Sequence, residues 1–140
     1  MENKATFSNK HIENFGTVNF QIFDTGFLDS FCPLITYINM PRIPKIVLFI
    51  YDVTNTQSFL KIDSEYKDIM KAWPETQFII VGNKIDLDYR EVSYERGHKY
   101  ADSINAMFYE VSAKTSIGWD LLLQNIAFIL KNTSVTQDKD

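Results

Sequence analysis

A chain of 140 residues with 45% hydrophobic and 14% aromatic residues is long and apolar enough to close one core. Its net charge of −4 and pI of about 5.1, with Lys and Arg scattered singly or in short charged pairs, exclude a basic stripe that tracks a phosphate backbone, so no nucleic-acid partner is expected. The single cysteine, Cys32, excludes an intramolecular disulfide framework and fits a reducing, cytoplasmic compartment, and the lack of His/Cys clusters argues against a structural zinc site.

The N-terminal MENKATFSNK carries neither an apolar signal region nor a glycine after Met1 for myristoylation. Residues 5–12 and 17–23 have strand signals, and the turn-like ENFG between them is too short for a crossover, which makes the pair antiparallel. Segment 31–44, with Pro33, Pro41 and Pro44, is expected to be irregular or to hold one short helix. IVLFIY at 46–51, the longest uninterrupted apolar run, is far too short to span a bilayer and reads as a strand over 46–52. Over 56–73, Phe59, Ile62, Tyr66, Ile69, Met70 and Trp73 recur at three and four, the apolar face of a helix that Pro74 closes. FIIVG at 78–82 is a strand, and a shorter helix follows at 93–104, capped by Ser93 and turning Tyr100, Ala101 and Ile104 inward. MFYEV at 107–111 is the last strand. Trp119, Leu122, Leu123, Ile126, Ala127 and Leu130 then mark a helix over 116–131, opened by Ser116.

Strands alternating with helices after residue 46 imply parallel pairing, so the fold class is an α/β open sheet, mostly parallel, with one antiparallel edge hairpin. One domain is expected over 1–132, with a disordered tail at 133–140. No cysteine follows Cys32, so the terminal TSVTQDKD is expected to carry no prenyl anchor and any membrane association to come through a partner.

Open parallel sheets bind ligands at the carboxyl ends of their strands, which draws attention to four places: Asp24-Thr25, Asp52, Asn83-Lys84-Ile85-Asp86 and Ser112-Ala113-Lys114. Each alone could be an ordinary loop in which Asp or Asn caps a turn. Their order and spacing change that: DT, then NKID 59 positions later, then SAK 29 positions beyond, resembles the Ras-like small GTPases. YDVTNTQSF at 51–59, VGNKIDL at 81–87, REVSYERG at 90–97 and FYEVSAKT at 108–115 resemble the Rab branch, and the likeness covers 12–131.

The resemblance implies a guanine site. Asp86 would accept two hydrogen bonds from the guanine edge, a pairing that adenine cannot offer. Asn83 would brace the neighbouring loops, the Lys84 stem would lie against the base plane, and the backbone of Ser112, Ala113 and Lys114 would meet the guanine carbonyl oxygen. Asp52 is expected to be structural, capping the turn before the next helix.

The same resemblance exposes what the 140 residues lack. Phosphate binding in this family uses G-x-x-x-x-G-K-[ST], yet none of Gly16, Gly26, Gly82, Gly97 and Gly118 is followed by lysine and no two are five apart. Counting back from Asp24, Met1 falls at the Mg²⁺-binding threonine of the family's first switch. The second switch of the family is D-T-A-G-Q-E; an ungapped match puts Gly26 on the alanine, Phe27 on the glycine, Leu28 on the glutamine and Asp29 on the glutamate. Leu28 has no donor or acceptor to orient an attacking water, and Phe27 adds bulk where a glycine would pivot. Asp24 is then a vestigial Mg²⁺ ligand at most, and GTP or GDP is bound weakly if at all.

An incomplete P-loop GTPase fold follows from the resemblance, lacking the first strand and first helix. Either 17–23 pairs directly with 46–52, or the sheet carries a gap with two open edges that a partner's strand or helix could complement; Trp119 or Leu123 would lose part of their cover. Three readings stay open. The chain is a hydrolysis-deficient Rab-like protein that acts by binding trafficking proteins or effectors; or a fragment of a complete, slowly hydrolysing Rab GTPase; or an α/β interaction domain with no nucleotide role.

Overall fold

The computed structural model describes residues 4–24 and 43–135. The expectations for Thr25, Gly26, Phe27, Leu28 and Cys32, for most of the proline segment, and for the last five residues lie outside these. The elements run β1 (Lys4–Ile12), β2 (Gly16–Asp24), β3 (Ile46–Asp52), α1 (Thr56–Leu60), α2 (Ile62–Ala72), β4 (Gln77–Asn83), α3 (Tyr94–Ser103), β5 (Met107–Glu110) and α4 (Trp119–Val135). All five expected strands are present within two residues of their expected ends. Among the described residues no helix is long and apolar enough to cross a membrane.

The strands form two sheets, an antiparallel β1-β2 hairpin and a parallel sheet of order β3-β4-β5. The described residues also divide into two compact units, one holding the hairpin with α4 from Asp120 onward, the other residues 43–119.

In the larger unit the central strand β4 is the most buried, with Ile79, Ile80 and Val81 inaccessible and Gly82 buried. Phe49, Ile80 and Phe108 share one sheet face by register, and there Phe59, Ile62, Ile69, Trp73, Val92 and Ala101 close the core. The helix expected over 56–73 divides at Lys61 into α1 and α2, where the bridging hydrogen bonds lengthen to 3.3 Å (Lys61 N to Gln57 O) and 3.4 Å (Glu65 N to Lys61 O). Asn55 caps α1 by accepting from the Gln57 and Ser58 N–H groups, at 2.9 and 3.2 Å. Ser93 caps α3 as expected, accepting from Arg96 N–H at 3.2 Å.

The last helix needs a correction. Ser116 does not cap it: Ser116 and Gly118 take left-handed backbones, φ +66° and +81°, and the helix starts only at Trp119. The Ser112 N–H donates to Ile117 O at 2.9 Å, which closes residues 112–117 into a turn that the helical periodicity could not reveal. On α4, Leu122, Ile126 and Ala127 are buried; the exposed apolar residues are Leu121 and Phe128, at 58% and 54%, whereas Trp119 and Leu123 are half-buried.

Tyr51 shows how tightly the core is fitted. Its ring packs edge-on against Phe59, centroids 5.0 Å apart, and it is 1% exposed. Two glycines make the slot. A Cβ at Gly82 would lie 2.9 Å from Tyr51 Oη, and one at Gly97, inside α3, would collide with the same oxygen and sit 2.7 Å from the Phe108 ring. A glycine in a helix interior is otherwise unfavourable, so position 97 trades helix propensity for the tyrosine. The hydroxyl itself has no hydrogen-bond partner. Removing an orphaned buried polar group relieves its desolvation cost, so Tyr51→Phe is expected to leave chemical-denaturation stability unchanged or raise it by about 1 kcal/mol. A loss of that size would show that the hydroxyl is satisfied in solution.

Candidate functional site

Adjacent parallel strands end on the same side of the sheet, so the loops after β3, β4 and β5 meet although they are distant in sequence. The register sets Asp52 beside Asn83 and Gly82 beside Glu110. Backbone bonds extend the pairing into the loops: Val53 N–H donates to Asn83 O at 3.1 Å, Val111 N–H to Gly82 O at 2.8 Å, and Ile85 N–H to Val111 O at 3.4 Å.

Side chains then lock the loops together. Asn83 Oδ1 accepts from the Ala113 N–H at 3.0 Å, the brace expected of this asparagine. Ser112, fully buried, donates its hydroxyl to Asp86 Oδ1 at 2.7 Å and accepts from Thr115 N–H at 3.1 Å. Lys84 has a left-handed backbone, φ +70°, and its Nζ lies 2.6 Å from Asp52 Oδ2. Asp52 also caps its own turn as expected, Oδ1 accepting from Thr54 N–H at 2.8 Å and Thr54 Oγ1 at 2.6 Å.

Between these groups is a cavity of about 250 Å³ lined by Asn83, Lys84, Asp86, Leu87, Ala113 and Lys114. Five of the six residues expected around a guanine base therefore line one space, and the sixth, Ser112, orients Asp86 from beneath. Of the three backbone donors expected at the guanine carbonyl, two are engaged within the protein, Ser112 N–H by Ile117 O and Ala113 N–H by Asn83. Among the described residues no hydrogen bond engages the Lys114 N–H. The Asp86 carboxylate, with one oxygen held by Ser112, can still accept N–H bonds from a planar base edge, and Leu87, 46% exposed, offers apolar surface beside it.

The sequence reading missed three features here. Leu87 adjoins Asp86 in the quoted motif but carried no role. The Asp52–Lys84 pair was hidden because each residue already had another explanation. Arg90 and Glu110, 20 positions apart, form a bidentate pair at 2.6 and 3.0 Å that ties the loop before α3 to the end of β5. Gly118 lets the turn close on the same strand, since a Cβ there would sit 2.5 Å from Glu110 O.

Asp24 ends β2, in register with Lys4, in the hairpin unit. Among the described residues no group of three or more His, Cys, Asp or Glu is arranged to hold a metal ion.

A family model described as the Ras family matches residues 3–132. Ras-related protein RabC of Dictyostelium discoideum is 34% identical over 143 aligned residues, covering 98% of this chain and 71% of that protein. The chain is a Rab-like member of the Ras family. Members of this family are small GTPases that bind GTP and GDP.

The site's electrostatics have a pH signature. Partial burial pushes the Asp52 carboxyl upward, but hydrogen bonds from Lys84 and Thr54 outweigh it and hold it below its ordinary 3.8. The Thr56 backbone N–H, which donates to Glu91 at 2.7 Å, likewise holds that carboxyl below 4.5. Burial raises Glu65, an opposing contribution. A depressed carboxylate stabilises the fold above its ordinary value and loses that contribution as pH falls through its folded value. Denaturation midpoints of this chain should therefore hold steady from neutral to about pH 5 and fall below about pH 4; a midpoint that rises on acidification would contradict the assignment.

Proposed function

We propose that this chain recognises the guanine base weakly, does not hydrolyse GTP, and acts in vesicle trafficking by binding other proteins. The observation that carries the reading is the Asp86 carboxylate, fixed by Ser112 at the wall of a cavity whose other walls are the Asn83-Lys84 and Ala113-Lys114 loops. A bound guanine nucleotide would be held through its base: Asp86 accepts from the base edge, Lys114 N–H donates to the carbonyl, and the Lys84 stem and Leu87 cover the ring.

The phosphates have no counterpart in the 140 residues. No glycine-rich loop ending in Lys-Ser or Lys-Thr is present, and Leu28 stands where the family's glutamine orients water. The donor set does not fit Mg²⁺ either, since Asp24 is the one family ligand retained, so no step is routed through a metal. Rab-like GTPases generally bind effectors and regulators. Among the described residues β3 has a neighbour on one side only, an edge on which a partner's strand could add. The 71% share of RabC that the chain spans favours a second reading, in which a longer product supplies the missing loop and hydrolyses slowly. An in-frame upstream transcript with that loop would select it.

Calorimetry on the purified chain tests the first reading. GDP is expected to bind with a Kd weaker than about 10 µM, ADP not to bind, and Asp86→Ala to remove GDP binding without loss of fold. Nanomolar GDP affinity, equal affinity for ADP, or phosphate release from GTP above the buffer rate would overturn it.

A further inference from the structure

Lys84 is held at both ends. Its backbone is fixed in a left-handed turn closed by Leu87 N–H donating to Lys84 O at 3.1 Å, and its Nζ lies 2.6 Å from Asp52 Oδ2. Asp52 is anchored in turn: Oδ1 takes both Thr54 donors, and its own N–H donates to Ser58 Oγ at 3.0 Å. The acid is the more sheltered partner, its side chain 22% exposed against 51% for Lys84. Pinned between two loops, the four-carbon stem becomes a fixed wall of the cavity it lines.

We propose that Asp52 is a positioning residue for base recognition, which holds the Lys84 ammonium so that the stem is preformed as an apolar wall of the guanine cavity. The proposal rests on the guanine reading above and adds to it a residue that the turn-capping role does not account for. A lysine is among the most flexible side chains, and ordering one on binding lowers affinity; fixing it beforehand removes that loss. The pair leaves the ammonium half-exposed, so the wall is set by its anchor and not by deep burial.

Guanosine, which has no phosphate for the ammonium to attract, is the appropriate probe. Titrations of the full chain are expected to show Asp52→Asn weakening guanosine binding about threefold to tenfold, because Asn keeps an oxygen for Thr54 but loses the charge that holds Lys84. In a Lys84→Ala background the same change should alter affinity by less than about twofold. Lys84→Met, which keeps the stem and loses the anchor, should weaken binding as much as Asp52→Asn and covers the case in which the latter fails to fold. Undiminished binding by Asp52→Asn or Lys84→Met, or an Asp52→Asn loss that persists without Lys84, would overturn the proposal while the guanine reading stands. Failure of the unaltered chain to bind guanosine at all would sink the guanine reading itself, and this proposal with it.

Discussion

Because β3, β4 and β5 run parallel in adjacent order, their carboxyl ends emerge together, and everything chemically distinctive in the larger unit depends on that. Antiparallel pairing would send the loop after β4 to the opposite side and separate Asn83 from Ala113. The parallel order is in turn held by a core that tolerates little change: Tyr51 occupies a slot cut by two glycines, one of them inside a helix. Tyr51 and Asp52 are consecutive, so the residue that fills the core also fixes the start of the loop that reaches Lys84.

Around the cavity, the polar groups constrain one another more than they await a ligand. Asn83 engages Ala113, Ser112 engages Asp86, and Asp52 engages Lys84. Arg90 and Glu110 tie the next loop to β5. Such preorganisation suits recognition of a flat base, which gains from walls and edge acceptors already in place. The geometry that the described loops share is that of a flat-walled cavity with one fixed carboxylate at its wall.

Much of this was legible in the amino-acid order because the signals are local. The run IVLFIY, the alternation of 17–23 and the Ser93 cap each specify an element through nearest neighbours, and NKID and SAK lie at strand ends where ligand chemistry concentrates. What escaped depends on pairings between distant residues or on backbone states. The left-handed Ser116 moves the start of the last helix to Trp119 because a turn closed by Ile117 competes with helical periodicity. The division at Lys61 leaves the apolar period intact and so gives no sign in it. The Asp52–Lys84 pair follows from strand register, and register is decided by the whole sheet.

The central claim, that recognition is carried by the base and not by the phosphates, is tested most directly by titrating the 140-residue chain with guanosine, GMP, GDP and GTP under one set of conditions. Affinities within about threefold of one another are expected, a spread of less than about one kcal/mol. A gain of about a hundredfold or more from guanosine to GTP would contradict it, since it would require a phosphate grip of roughly 3 kcal/mol that the described loops do not contain.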